Sequence, residues 1–166
     1  LPERVDLAVL AIPPRATLDA VDDAAAAGVK AVVVITAGFA EGRDGSGLEL
    51  QRRLVEKVRG YGMRMIGPNC LGVINADPLH RLNASFSPVF PPAGPVAMSS
   101  QSGSVGLAML GTARQRGLGI STFVSIGNKA DVSGNDLLQY WEEDPRTELV
   151  LLYLESIGNP RRFARI

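Results

Sequence analysis

Continuous apolar runs alternate along the chain with segments whose apolar residues recur every three or four positions. Residues 5–12 (VDLAVLAI) read as a buried strand halted by Pro13 and Pro14. Residues 17–27 predict a helix with Asp19, Asp22 and Asp23 toward its start, where the helix dipole favours acids, and Gly28 as its terminator. Residues 30–36 (KAVVVIT) are a second, β-branched strand of the continuous kind that parallel sheets bury. A glycine-rich loop (Gly38, Gly42, Gly45, Gly47) leads to a helix over 48–59, carried by Leu50, Leu54, Val55 and Val58, and then to a short strand over 63–66. Residues 67–95 hold Pro68, Pro78, Pro88, Pro91, Pro92 and Pro95 with little periodicity, and predict a functional loop leading into a crossover. Alternation then resumes: strand 96–98, helix 103–116, strand 120–126, helix Gly134–Glu143, strand 149–154 and a helix start over 160–166. The expected fold is α/β with parallel sheets and right-handed crossovers on both sides of the loop.

Composition narrows the classes. The 166 residues suffice for one medium domain or two small ones, and 46% hydrophobic with 20% charged is an ordinary globular profile. Lys+Arg and Asp+Glu both number 17, so the net charge is zero and the basic footprint of a nucleic-acid binder is missing. One cysteine, Cys70, excludes a disulfide framework, and a single histidine beside it argues against a zinc site. No apolar run approaches the roughly 18–20 residues of a membrane span. Residues 1–4 (LPER) lead straight into a strand-like run, unlike a secretion signal. The expectation is a cytoplasmic α/β protein. The chain starts without Met in mid-pattern and stops at a helix start, so a piece of a longer protein is expected.

Open parallel sheets bind ligands beyond the carboxyl ends of their strands, and several of those ends carry unusual residues here. Ile12-Pro13-Pro14 is either a rigid site turn or simple helix initiation. Ile35-Thr36-Ala37-Gly38-Phe39 either admits close backbone approach by a ligand or is an ordinary strand-to-helix loop. In Gly67-Pro68-Asn69-Cys70-Leu71-Gly72, Asn69 offers donors and an acceptor, while Cys70 is either a reactive thiol or a small buried hydrophobe. A catalytic thiol needs a base, and His80 is the only histidine. Ser99-Ser100-Gln101-Ser102-Gly103-Ser104 lies between a strand and a helix, so it is either an anion site at a helix N-terminus or a serine cap without ligand. It is neither a Walker A loop nor a Gly-x-Ser-x-Gly elbow. Residues 125–131 (SIGNKAD) end a further strand, and Glu155 ends the last, where a carboxylate orients an imidazole or merely charges a helix start.

In their order and spacing, Gly67-Pro68-Asn69-Cys70-Leu71-Gly72, Ser100-Gln101-Ser102-Gly103, Ile126-Gly127-Asn128-Lys129-Ala130-Asp131, Asp144-Pro145-Arg146-Thr147 and Tyr153-Leu154-Glu155 resemble the NDP-forming acyl-CoA synthetases, which include the succinyl-CoA synthetase α subunit. The likeness covers essentially the whole chain. It implies the C-terminal part of a Rossmann-like CoA-binding domain over 1–75, a crossover linker over 76–95 and the N-terminal part of a flavodoxin-like ligase domain over 96–166. It implies acyl-CoA formation from a carboxylic acid, coenzyme A and ATP, through a histidine that carries a phosphoryl group between nucleotide and acyl phosphate. Ser102, Gly103 and Ser104 match the helix start that holds the phosphate, and Glu155 matches the carboxylate that orients the histidine. Ile12, Pro13, Ile35, Thr36, Ala37, Asn69 and Cys70 match the CoA-lining turns. A side chain at Gly103 is then expected to crowd the anion.

The family's phosphorylated histidine lies downstream of the matched Tyr-Leu-Glu, and its glycine-rich CoA loop upstream of the first strand; neither is in these 166 residues. ATP with Mg, and ADP, belong to a nucleotide-grasp domain or subunit, also absent here. Oligomerisation is expected, with Trp141 in core or interface. Asn83-Ala84-Ser85-Phe86 resembles a regulatory branch in which the synthetase-like region is fused to a GNAT-type protein lysine acetyltransferase. The alternative is therefore a catalytically silent CoA- or acyl-CoA-sensing module.

Overall fold

The computed structural model describes residues 3–42 and 45–166. Strands β1 (Leu7–Leu10), β2 (Ala31–Val34) and β3 (Arg64–Ile66) pair in parallel in that spatial order. A 3-10 turn (Pro14–Ala16) starts at Pro14, whose fixed φ and missing N–H suit a first turn, and Thr17 Oγ1 donates to its carbonyl at 2.6 Å. Helices α1 (Thr17–Ala26) and α2 (Leu48–Gly60) follow β1 and β2. Their apolar stripes (Leu18, Val21, Leu54, Val58) bury against Val32, Val34 and Met65. Asp22 of α1 accepts from Lys57 of α2 and from Tyr61 at that helix's end, so one of the acids expected in the first helix also ties the two helices together.

A second sheet holds β4 (Gly72–Asn75), β5 (Leu82–Ser85), β6 (Ala93–Ser100), β7 (Ile120–Ser125) and β8 (Leu149–Tyr153) in the order β5-β4-β7-β6-β8. Helices α3 (Gly103–Gln115), α4 (Gly134–Glu143) and the short α5 (Pro160–Phe163) complete the described chain. One face of the sheet packs Met98, Ile120 and Phe123 beneath Leu110 of α3. The other packs Ala97, Val124 and Ile126 beneath Leu137 and Trp141 of α4. Trp141 is therefore core, and its indole N–H donates to Thr122 Oγ1 at 2.7 Å.

The reading of 67–95 as loop requires correction. β4 pairs antiparallel with both β5 and β7, which makes the second sheet mixed. These strands are four residues each, too short to show a period, and the prolines fall outside both. Gly72 (φ +114°) is needed at the junction, since a Cβ there would lie 2.3 Å from Ala84 O. The sequence-derived boundary at 75 falls at the end of β4, which hydrogen-bonds within the second sheet, and the 76–95 segment contributes β5 and the start of β6.

The two sheets are joined by main chain. The segment after β7 runs beside β3 and the turn that follows it: Asn128 N donates to Pro68 O (2.9 Å), Ala130 N to Gly67 O (3.2 Å) and Val132 N to Met65 O (3.2 Å). Asp131 fastens this ladder. Its fully buried carboxylate accepts from Arg59, Arg64 and the Met65 N–H, at 2.6 to 3.0 Å. Burial pushes its pKa up, but the Arg64, Met65 and Arg59 hydrogen bonds together outweigh burial and leave it below 3.8. Its contribution to stability is thus complete above the unfolded-state value and is lost as pH falls below about 4. Asp131→Asn should cost about 2 kcal/mol in denaturant unfolding at neutral pH. It should also flatten the acid-side decline in stability, measured as the unfolding midpoint against pH.

Candidate functional site

A cleft of about 580 Å³ opens where the carboxyl ends of the two sheets meet. Ile35 and Ala37 after β2, and Asn69, Cys70 and Leu71 after β3, form the wall from the first sheet. Gln101 and Ser102–Ser104 at the start of α3, Gly127 and Asn128 after β7, and Glu155 after β8 form the wall from the second. Phe86 and Glu41 complete the lining.

The structure therefore brings Ile35, Ala37, Asn69, Cys70, Ser102, Gly103, Ser104 and Glu155 to one cleft. Ile12, Pro13 and Thr36 stand outside its lining. Thr36 instead pins the end of β1: its hydroxyl receives the Ile12 N–H at 3.2 Å and donates to Ile12 O at 2.7 Å. His80 is also elsewhere, bonded to Asp77, so no thiol–imidazole pair exists between it and Cys70.

The turns are tightly interlocked. Asn69 adopts φ +58°, a left-handed conformation that asparagine tolerates, and its N–H donates to Thr36 O at 2.9 Å. Gly127 (φ +52°) backs directly onto this turn: a Cβ would lie 2.3 Å from both Pro68 O and Asn69 O. Asn128 bridges the walls. Its amide donates to Glu41 at 2.6 Å and Gln51 at 2.9 Å, and its oxygen accepts from Asn69 at 3.3 Å. Glu41 also accepts the N–H groups of Gly38 and Phe39. Burial pushes the Glu41 carboxyl up, and the hydrogen bonds from Asn128, Gly38 and Phe39 together hold it below its ordinary value.

The thiol is held, not activated. Cys70 Sγ donates to Val34 O at 3.3 Å, and burial pushes its pKa up from 9.0 to about 12.

At α3, Ser102 caps the helix by accepting from Val105 N (3.4 Å), and its carbonyl takes Gly106 N (3.0 Å). A helix start leaves its first N–H groups without intrahelical acceptors, and Gly103 and Ser104 carry such groups at the cleft wall. Positive dipole and free donors suit an anion there. A Cβ at Gly103 would meet no protein atom closer than Leu71 Cβ at 3.8 Å, so the fold itself has room for a methyl group there. On the same wall, the Glu155 backbone is held by Gln101, whose Oε1 accepts Glu155 N (3.0 Å) and Ser156 N (3.2 Å).

Sequence reasoning missed Glu41 and the work of the Gln101 side chain. Glu41 stands in the glycine-rich loop, where its position three residues after Gly38 was the available signal for a carboxylate folding back on turn amides. Gln101 was quoted within its motif, but its acceptor role depends on β8 lying beside β6.

Against known proteins, residues 1–76 match the family model of a CoA binding domain. Residues 93–166 match that of a succinyl-CoA ligase like flavodoxin domain. This pairing, with a shared cleft at the strand ends, defines the class: a CoA-binding domain joined to a ligase domain. The chain belongs to the ADP-forming acyl-CoA synthetase family. It is 41% identical over 166 residues to the acetate–CoA ligase (ADP-forming) I of Archaeoglobus fulgidus, covering all of this chain and 24% of that protein. It is 40% identical over 167 residues to the α subunit of acetate–CoA ligase (ADP-forming) I of Pyrococcus furiosus, covering 35% of that subunit. Among solved structures, a dinucleotide-forming acetyl-coenzyme A synthetase 1 of Candidatus Korarchaeum cryptofilum, in complex with phosphate and ADP, matches with TM-score 0.91 and 43% identity. That match covers 99% of this chain and 35% of the other. The chain thus spans about a quarter to a third of the length of these relatives.

Two outcomes follow from the geometry. Gly127→Ala should lower the melting temperature by at least about 5 °C, whereas Gly103→Ala should leave it within about 2 °C. Native Cys70 should resist iodoacetamide at pH 8 and react fully once the chain is unfolded, as read by mass spectrometry.

Proposed function

We propose that this chain is the CoA-binding and phosphate-cradling part of an acyl-CoA synthetase that converts a carboxylic acid, CoA and ATP into acyl-CoA, ADP and phosphate. The observation that carries this reading is the single cleft that unites the turns after β2 and β3 with the α3 N-terminus and Glu155. The phosphate and ADP in the Korarchaeum structure, and acetate in the names of the ligases, support it.

In this reading a histidine outside the 166 residues takes the γ-phosphoryl group of ATP, releasing ADP. The acid's carboxylate oxygen then accepts that group as the N–P bond breaks, giving an acyl phosphate. The CoA sulfur attacks the acyl carbon, the C–O bond to phosphate breaks and the thiol proton is lost. Gly103 and Ser104 N–H groups and the Ser102 and Ser104 hydroxyls meet the phosphoryl oxygens, where donors preset for developing charge lower the barrier. Glu155 accepts an N–H of the imidazole and fixes its tautomer and orientation. Asn69, Ile35 and Ala37 line the path of the CoA arm toward that point, and Ile12, Pro13 and Thr36 shape the neighbouring turn. Cys70 is part of the wall. ATP with Mg sits in a nucleotide-grasp domain, which, with a cytoplasmic setting and an oligomeric assembly, belongs to the same reading. The acetyltransferase-linked sensor draws no support from the ligases to which the chain is similar.

Glu155→Gln in the full-length protein should slow histidine phosphorylation by labelled ATP about tenfold or more, with CoA affinity by calorimetry unchanged. An unaltered phosphorylation rate, or weakened CoA binding in its place, overturns the role given to Glu155.

A further inference from the structure

Glu155 is an exposed residue on the irregular segment that follows β8. A carboxylate that shares a cleft with a bound anion is repelled by it, and an exposed loop lets it swing into water. Something must hold it.

Two side chains from neighbouring turns grip the backbone of this segment. Gln101 continues the β6–β8 pairing through its own N–H, which donates to Tyr153 O at 3.0 Å. Its Oε1 then accepts two consecutive amides, Glu155 N at 3.0 Å and Ser156 N at 3.2 Å. From the turn after β7, Lys129 Nζ donates to Ser156 O at 2.6 Å and to Ser156 Oγ. Only the oxygen of the Gln101 amide can accept two N–H groups, so the orientation of that side chain is fixed by what it holds. Gln101 is also the residue before the Ser102 cap. One short stretch therefore sets both the start of α3 and the backbone that carries the Glu155 carboxylate.

We propose that Gln101 is the positioning residue of this site: it holds the Glu155 backbone so that the carboxylate stays in the cleft when the anion is present, with Lys129 as the second half of the clamp. This rests on the role given to Glu155 above. The phosphoryl chemistry then depends on an amide that acts through the backbone of residues 155 and 156.

The test is a double-mutant cycle in the full-length protein, following histidine phosphorylation by labelled ATP. Gln101→Met keeps the side chain's length and removes the acceptor. It should lower the phosphorylation rate about tenfold, the scale of losing one or two hydrogen bonds, with KM for ATP unchanged. In the Glu155→Gln background the same change should cost less than about twofold, because a residue acting through Glu155 has nothing left to position. Hydrogen exchange of the 155–156 amides should quicken in Gln101→Met. Lys129→Met, at the other end of the clamp, should show the same non-additivity and serves if Gln101→Met folds poorly. Full additivity of Gln101→Met and Glu155→Gln, or unchanged exchange at 155–156, overturns the proposal while leaving the role of Glu155 intact. If Glu155→Gln itself leaves phosphorylation unaltered, the reading of Glu155 falls and the clamp with it.

Discussion

The buried carboxylate of Asp131 is the point on which the two halves of the molecule depend. It collects the charges of Arg59 and Arg64 and the Met65 N–H from the first half while sitting on the segment that leaves β7 in the second. A buried anion without such partners would be expelled from the interior, so its presence there specifies one relative placement of the sheets. The main-chain ladder from Asn128 to Val132 follows from that placement, and the cleft lies at the end of the ladder. The candidate site is thus built at a joint, from turns of both sheets.

At this joint backbone approaches backbone. Gly127 lies against the carbonyls of Pro68 and Asn69 with no room for a methyl group, and Asn69 takes a left-handed conformation beside it. Side-chain amides then finish the contact, with Asn128 satisfied from Glu41, Gln51 and Asn69 together. Such a network holds its shape because each member is already hydrogen-bonded before any ligand arrives. Pre-set donors and walls of this kind cost little reorganisation on binding.

Much of this was legible in the sequence. The β-branched run at 30–36 gave β2, because a buried parallel strand needs little more than continuous β-branched residues, and the Ile, Phe and Val of 120–126 gave β7. The Gly103 helix was marked by serine at its cap. The strand ends pointed to the residues that line the cleft, since ligand position follows from topology in open α/β sheets. β4 and β5 were not legible: Gly72–Asn75 and Leu82–Ser85 are short, and their antiparallel pairing is decided by contacts with β7 far along the chain. Glu41 and Gln101 escaped for a related reason. Each acts through bonds to partners that become neighbours only after folding, Asn128 in one case and Glu155 and Ser156 in the other.

The Cys70 thiol lines the same cleft as the start of α3, yet it is buried and its proton is directed at Val34 O. In the proposed chemistry a mobile thiol arrives from outside to collect an activated acyl group. A resident thiol beside that route would be a rival acceptor, and every acyl group it captured would leave the protein covalently blocked. Kept protonated well above neutral pH, Cys70 withholds the thiolate on which capture depends. In that chemistry the wall that guides one sulfur nucleophile is made of another that has been silenced, and the protein is spared from acylating itself.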